Sequence, residues 1–239
     1  MTRFFSADRR FAALAILFES GLGVVAGVIG YLVSAPPLAT VLEQGPSRWD
    51  TLPALAAGVA AAAPLVAALL LADRYPVGPL RELRDFLNTC LVPLFARCSA
   101  IQLLLVSLAA GIGEEMLFRG LIQAGVARWI GPPLGTAVGL LLASLAFGAC
   151  HWLTATYAVL AAAVSVYLGV LFLVANNLLA PIAAHAVYDF SALLYLVRSW
   201  RLTQPDALGT PQEEKEKGRL DLKDRAATNT PDTKPNTSC

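Results

Sequence analysis

Residues 154–175 read TATYAVLAAAVSVYLGVLFLVA, a run without an acid, a base or a histidine. About 20 mostly apolar helical residues cross a bilayer core about 30 Å thick, so this run is long enough to span one. The same ruler finds Gly131–Trp152 before it and Leu178–Val197 after it. Upstream it finds Phe11–Ala35, interrupted only by Glu19, then Pro53–Ala72 and about Phe86–Ala110, which contains Arg97. Gly111–Ile130 lies between spans and carries Glu114, Glu115, Arg119 and Arg128, with Gly111 and Gly113 loosening its start. It reads as a helix shielded by the others. The pattern predicts an all-α, polytopic transmembrane bundle of about six to seven helices.

Composition agrees. The 239 residues are 56% hydrophobic and 15% charged, with a mean hydropathy of +0.61, too apolar for an ordinary soluble domain. A net charge of +1 without a basic stripe excludes nucleic acid as a partner. Cys90, Cys98 and Cys150 sit in apolar runs without metal or redox spacing and read as small buried residues. Cys239 is not fourth from the end, so the chain is not expected to be prenylated itself.

The expected organisation has four parts. Residues 1–10 are a cytoplasmic N-terminal segment, 11–85 N-terminal transmembrane helices, 86–202 a transmembrane core, and 203–239 a disordered polar tail. The first apolar run lacks a clear cleavage site and reads as a retained anchor. Arg3, Arg9 and Arg10 precede it, and Arg74, Arg81 and Arg84 fill the second connection while the first has only Arg48. Cytoplasmic loops carry the excess of Lys and Arg, which sets the N-terminus in the cytoplasm.

Charges are costly in apolar spans and usually mark function there. Seven stand out between Ile101 and Val197: Glu114, Glu115, Arg119, Arg128, His151, His185 and Asp189. In Glu114-Glu115-Met116-Leu117-Phe118-Arg119, residues four apart share a helix face, so Glu115 can pair with Arg119 while Glu114 points elsewhere. Glu114, less compensated, suits general base work. An ordinary salt bridge at a solvated helix end is the plainer alternative. In Phe147-Gly148-Ala149-Cys150-His151 the phenyl ring can pack beside the imidazole one turn away. Alone, His151 reads as an interfacial histidine beside Trp152. In His185-Ala186-Val187-Tyr188-Asp189, Asp189 can accept a hydrogen bond from His185 and set its tautomer. A buried pair kept for helix packing is the alternative. Arg128, beside Trp129, reads as an interface anchor, and Asn176 and Asn177 as a loop or cap.

Taken together, EEMLFRG, FGACH and HAVYD resemble the CPBP family of intramembrane proteases. That family carries EExxxR, FxxxH and HxxxN/D in this order and includes type II CAAX prenyl endopeptidases and bacteriocin-processing or immunity proteins. The resemblance covers about Gly111–Leu194 and implies a membrane-embedded endopeptidase acting on a hydrophobic or prenylated peptide. Carried over, Glu114 with His151 would activate water, and Glu115 and Arg119 would support the site. His185 with Asp189 would stabilise the oxyanion. The better-studied prenyl endopeptidases have Asn where this chain has Asp189, and an ionised Asp cannot donate to an oxyanion as Asn can. Asp189 must then carry a proton, or else it orients His185. The implied setting is a bacterial inner membrane, and the oligomeric state is not readable.

Two forks stay open. Glu114, His151 and His185 would be a reasonable set of three zinc ligands with an open position for water, although a metal-free glutamate mechanism is favoured. Outside proteolysis, a proton or ion transporter and a non-catalytic immunity or partner protein are the competing functions, the first without the repeats that many transporters show.

Overall fold

The computed structural model describes residues 4–34, 37 and 51–204. Among the described residues there are seven helices and no strand. They are α1 (Phe4–Leu32), α2 (Thr51–Arg74), α3 (79–95), α4 (Ala100–Ile130), α5 (Leu134–Cys150), α6 (Ala155–Ala175) and α7 (Leu179–Thr203). Five of them, α1, α2, α4, α6 and α7, are long and apolar enough to cross a membrane, and α5 is a shorter apolar helix. Leu17, Phe18, Leu52, Leu141, Leu145 and Val159 lie on the outside of the bundle, more than half exposed. A continuous apolar exterior is what lipid, and not water, accommodates. The chain is a multi-pass membrane protein.

Within lipid, helices are held together by close packing of small residues more than by expelling water. Gly111 shows this: a Cβ there would come within 3.0 Å of the Ala186 Cβ and the Ile182 carbonyl oxygen, so α7 rests directly on α4. Gly113 does the same for α1, because a Cβ would run into the carbonyl oxygen of Glu19. These two glycines were expected to loosen the start of the motif segment. They are instead places where α7 and α1 pack directly against α4.

The expected span Phe86–Ala110 is not one helix. α3 ends at Phe95, the chain turns at 96–99, and a new helix starts at Ala100 and runs without a break through Gly111 to Ile130. The stop is fixed locally by a capping box: the Ser99 hydroxyl accepts from Gln102 N–H, and Gln102 Oε1 accepts from Ser99 N–H at 2.8 Å. Arg201 of α7 donates to the freed carbonyls of Ala96 (2.7 Å) and Cys98 (2.8 Å). Around this turn Ala12, Phe95, Leu103, Val197 and Trp200 form one apolar cluster that binds the ends of α1, α3, α4 and α7.

Other expectations fare unevenly. The first helix starts at Phe4, inside the segment 1–10. Cys98 is buried as expected, but Cys90 and Cys150 are exposed, because the outer surface of this bundle is as apolar as its core. Asn176 closes α6 in a left-handed conformation, and the Asn177 side chain accepts from Leu179 N–H at 3.0 Å, so both cap helices. Arg3, Arg48 and the tail beyond residue 204 lie outside the described residues.

Candidate active site

Four helices bring the polar residues to one depth. α4 supplies Glu114, Glu115 and Arg119, α7 supplies His185 and Asp189, α5 ends in Phe147 and His151, and α6 supplies Ser165. The backbone of α4 switches to the wider π-helical form over Met116–Gln123, just past the two glutamates, a distortion common at functional sites. α5 stops at Cys150 and α6 starts at Ala155, so the elbow 151–154 places His151 at the level of the glutamates.

The two adjacent glutamates face different neighbours. Glu115 and Arg119 are fully buried, with Arg119 Nη1 donating to Glu115 Oε1 at 2.9 Å. Arg119 Nη2 donates to the carbonyl and the hydroxyl of Ser165, each at 3.0 Å, and its guanidinium lies over the Phe147 ring. The Glu115 oxygen that takes Arg119 also takes His185: Nδ1 lies 2.8 Å from Oε1. A carboxylate bound to a guanidinium accepts, so His185 Nδ1 donates. The sequence reading gave the task of orienting His185 to Asp189, yet Asp189 Oδ2 lies 3.4 Å from Nε2, and the shorter bond belongs to Glu115.

Glu114 is buried and faces both imidazoles. His151 Nε2 lies 3.8 Å from its Oε1, and His185 Nε2 lies 3.9 Å from its Oε2. These separations are too long for direct hydrogen bonds and suit a bridging water. His151 Nδ1 lies 2.9 Å from the Phe147 carbonyl, which can only accept, so this nitrogen carries the proton and the neutral ring turns a lone pair towards Glu114. The ring is stacked on Phe147 with centroids 4.3 Å apart, the packing expected of residues one turn apart. Phe118 in turn meets Phe147 edge-on at 4.9 Å.

A cavity of about 480 Å³ opens from this cluster between α2, α3, α6 and α7. His151, His185, Asp189 and Tyr157 line one end, Leu65, Leu69 and Leu160 the walls, and Asp73 with Arg84 the other end. It is mostly apolar with a few convergent polar groups, as ligand pockets are.

Residues 96–191 match the family model of the type II CAAX prenyl endopeptidases, Rce1-like. The match covers 96 of the 239 residues, less than half of the chain. The matched segment contains all three motifs and ends two residues past Asp189, leaving α1, α2 and α3 outside it. An uncharacterized protein of Bacillus subtilis (strain 168), YpbD, is 31% identical over 102 residues. That overlap takes in 40% of this chain and 46% of YpbD, so the chain spans less than half the length of that relative. No solved structure matches the chain.

Six of the seven charged or titratable residues that stood out in the sequence, Glu114, Glu115, Arg119, His151, His185 and Asp189, meet in this one cluster together with Phe147, while the seventh, Arg128, lies exposed beside Trp129. Two participants have no motif to announce them. Ser165 and Tyr157 stand in an apolar run and are recognisable only by what they face. As for zinc, no three His, Cys, Asp or Glu side chains among the described residues are arranged to hold a metal, Glu114, His151 and His185 included.

Proposed function

We propose that the protein is an intramembrane endopeptidase that hydrolyses a peptide bond in a hydrophobic or lipid-modified, CAAX-like substrate. The observation that carries this reading is the pair of Nε2 atoms set against the two oxygens of the buried Glu114, 3.8 and 3.9 Å away, at the end of an apolar cavity. The family matched by residues 96–191 supports the same kind of activity.

The chemistry follows from the donors and acceptors. Ionised Glu114 and the lone pair of His151 Nε2 are both acceptors, so one water can donate a proton to each and present its own lone pair to a carbonyl carbon. As the water oxygen bonds to that carbon, Glu114 takes the proton. The carbonyl oxygen gains the negative charge, and His185, holding a second proton taken from solvent before the substrate binds and kept throughout, donates to it through Nε2–H. Glu115 holds the other side of that ring through Nδ1, and Asp189 steadies the Nε2 side. Glu114 then returns its proton to the departing nitrogen as the C–N bond breaks. Every step uses residues of this chain, and no metal is assigned a part. A chelator that abolished cleavage, with recovery on adding zinc, would replace this version by a zinc-dependent one.

The same proposal sets the N-terminus and the mouth of the cavity on the cytoplasmic side of a bacterial inner membrane. Arg10, Arg74, Arg84 and Arg201 all lie at that end of the bundle, as the rule for cytoplasmic loops requires. The test is to compare membrane proteomes of cells carrying wild-type protein and Glu114→Gln. Uncleaved precursors should accumulate in the variant, which should remain folded. An unchanged proteome, or a purified Glu114→Gln protein that still cleaves, refutes the assignment. Proton flux in liposomes lost with Asp189→Ala would instead support a transporter.

A further inference from the structure

Glu19 is the single acid or base between Phe11 and Ala35, and it lies outside the segment 96–191. An ionisable side chain in so apolar a helix is costly unless something compensates it. Its place is set by backbone packing. Gly113 lets the Glu19 carbonyl rest against α4 one residue before Glu114. One turn further along α1, a Cβ on Gly23 would stand 3.3 Å from Gly113 Cα and 3.5 Å from the Met116 sulfur. The crossing therefore brings the Glu19 carboxyl beside the Glu114 carboxyl, near enough for a hydrogen bond between them. Glu19 Oε2 and Glu114 Oε2 are both buried and accept no hydrogen bond from any donor among the described residues. Among the described residues, Asp189 and His185 are further charged groups whose fields reach Glu19. Two carboxyl groups bond only when a proton lies between them, so this contact has one donor and one acceptor.

We infer that Glu19 is a positioning residue for Glu114, its carboxyl holding that of Glu114 turned towards the two imidazoles across the α1–α4 crossing. The inference rests on the reading of Glu114 as the base that activates water. Glu114 has several side-chain torsions, and only one arrangement puts an oxygen opposite each Nε2. A bond from α1 selects that arrangement. The working site then extends beyond residues 96–191 to include α1, which otherwise looks like a simple anchor.

The test uses the full chain in liposomes with a farnesylated, fluorogenic peptide ending in a CAAX-type sequence. Glu19→Leu should lower kcat about ten- to a hundredfold with little change in KM, the scale of loss for a misplaced catalytic group. Glu19→Gln should recover most of that loss, because its amide N–H can donate to Glu114. Thermal unfolding of both variants should stay close to wild type. Wild-type kcat in Glu19→Leu overturns the inference, and so does an equal loss in both variants. If the wild type leaves the peptide intact, or Glu114→Gln still cleaves it, the reading of Glu114 fails instead. Infrared spectra then decide the contact without a substrate. The band identified as Glu114 by its loss in Glu114→Gln should shift in Glu19→Leu, and an unshifted band overturns the inference.

Discussion

Two polar clusters sit at opposite ends of the same cavity, built from the same chemistry and differing in burial. At the inner end Glu115, Arg119 and His185 are tied by bonds of 2.8 and 2.9 Å, and both charges of the ion pair are fully buried. At the mouth Arg84 Nε lies 3.3 Å from Asp73 Oδ1, with side chains 45% and 19% exposed, and Tyr195 donates to Asp73 Oδ2 at 2.6 Å. The inner set has no water to fall back on, so each member depends on the others. The outer set can exchange any partner for solvent. One cluster fixes geometry, whereas the other ties α2, α3 and α7 together loosely.

Substitution should separate the two clusters. The largest effect is expected from Arg119→Met, which leaves the buried Glu115 charge without its cationic partner and with His185 as its remaining donor, and should cost roughly 3–5 kcal/mol of stability. Denaturant unfolding in detergent would measure it, and a loss below about 1 kcal/mol would put both clusters on the same footing. Glu115→Gln keeps the shape but removes the charge between Arg119 and His185. It should cost about 1–3 kcal/mol and reduce cleavage, because His185 Nδ1 loses its charged acceptor.

Gly113→Ala tests the packing that supports the inner cluster. Its Cβ meets the Glu19 backbone, which cannot swing aside as a side chain could, so a loss of about 1–3 kcal/mol is expected. A neutral result would mean that α1 can slide freely along α4. The smallest effect belongs to Arg84→Ala, about 0–1 kcal/mol and smaller still at high salt. A loss above about 2 kcal/mol there would break the contrast, since it would make the mouth as tightly determined as the interior.

The sequence was most readable where one local rule governs. Apolar run length located α2 and α6 nearly to their ends and α7 at its start, though α7 runs six residues past Val197, and four-residue spacing anticipated both the Glu115–Arg119 pair and the stacking of Phe147 on His151. It was least readable where two rules competed. In 86–110 hydropathy alone favoured one span, although Ser99-x-x-Gln102 was a start signal for the helix that begins at Ala100. Gly111 and Gly113 were open to two readings because a glycine can loosen a helix or admit a neighbour. Nothing within α4 tells which, since the deciding atoms belong to Glu19, Ile182 and Ala186.

By itself the sequence determined that this chain forms a helical membrane bundle and which side chains carry its polar chemistry. Those follow from desolvation and helical periodicity, which act on each segment separately. Only the tertiary structure decided how the acids divide: Glu115 bound to Arg119 and His185, Glu114 set between two imidazoles, and Glu19 brought to Glu114 from a helix far away in sequence. Such partnerships depend on which helices cross and at what depth, and that is set by backbone contact at glycines whose neighbours are remote in the chain.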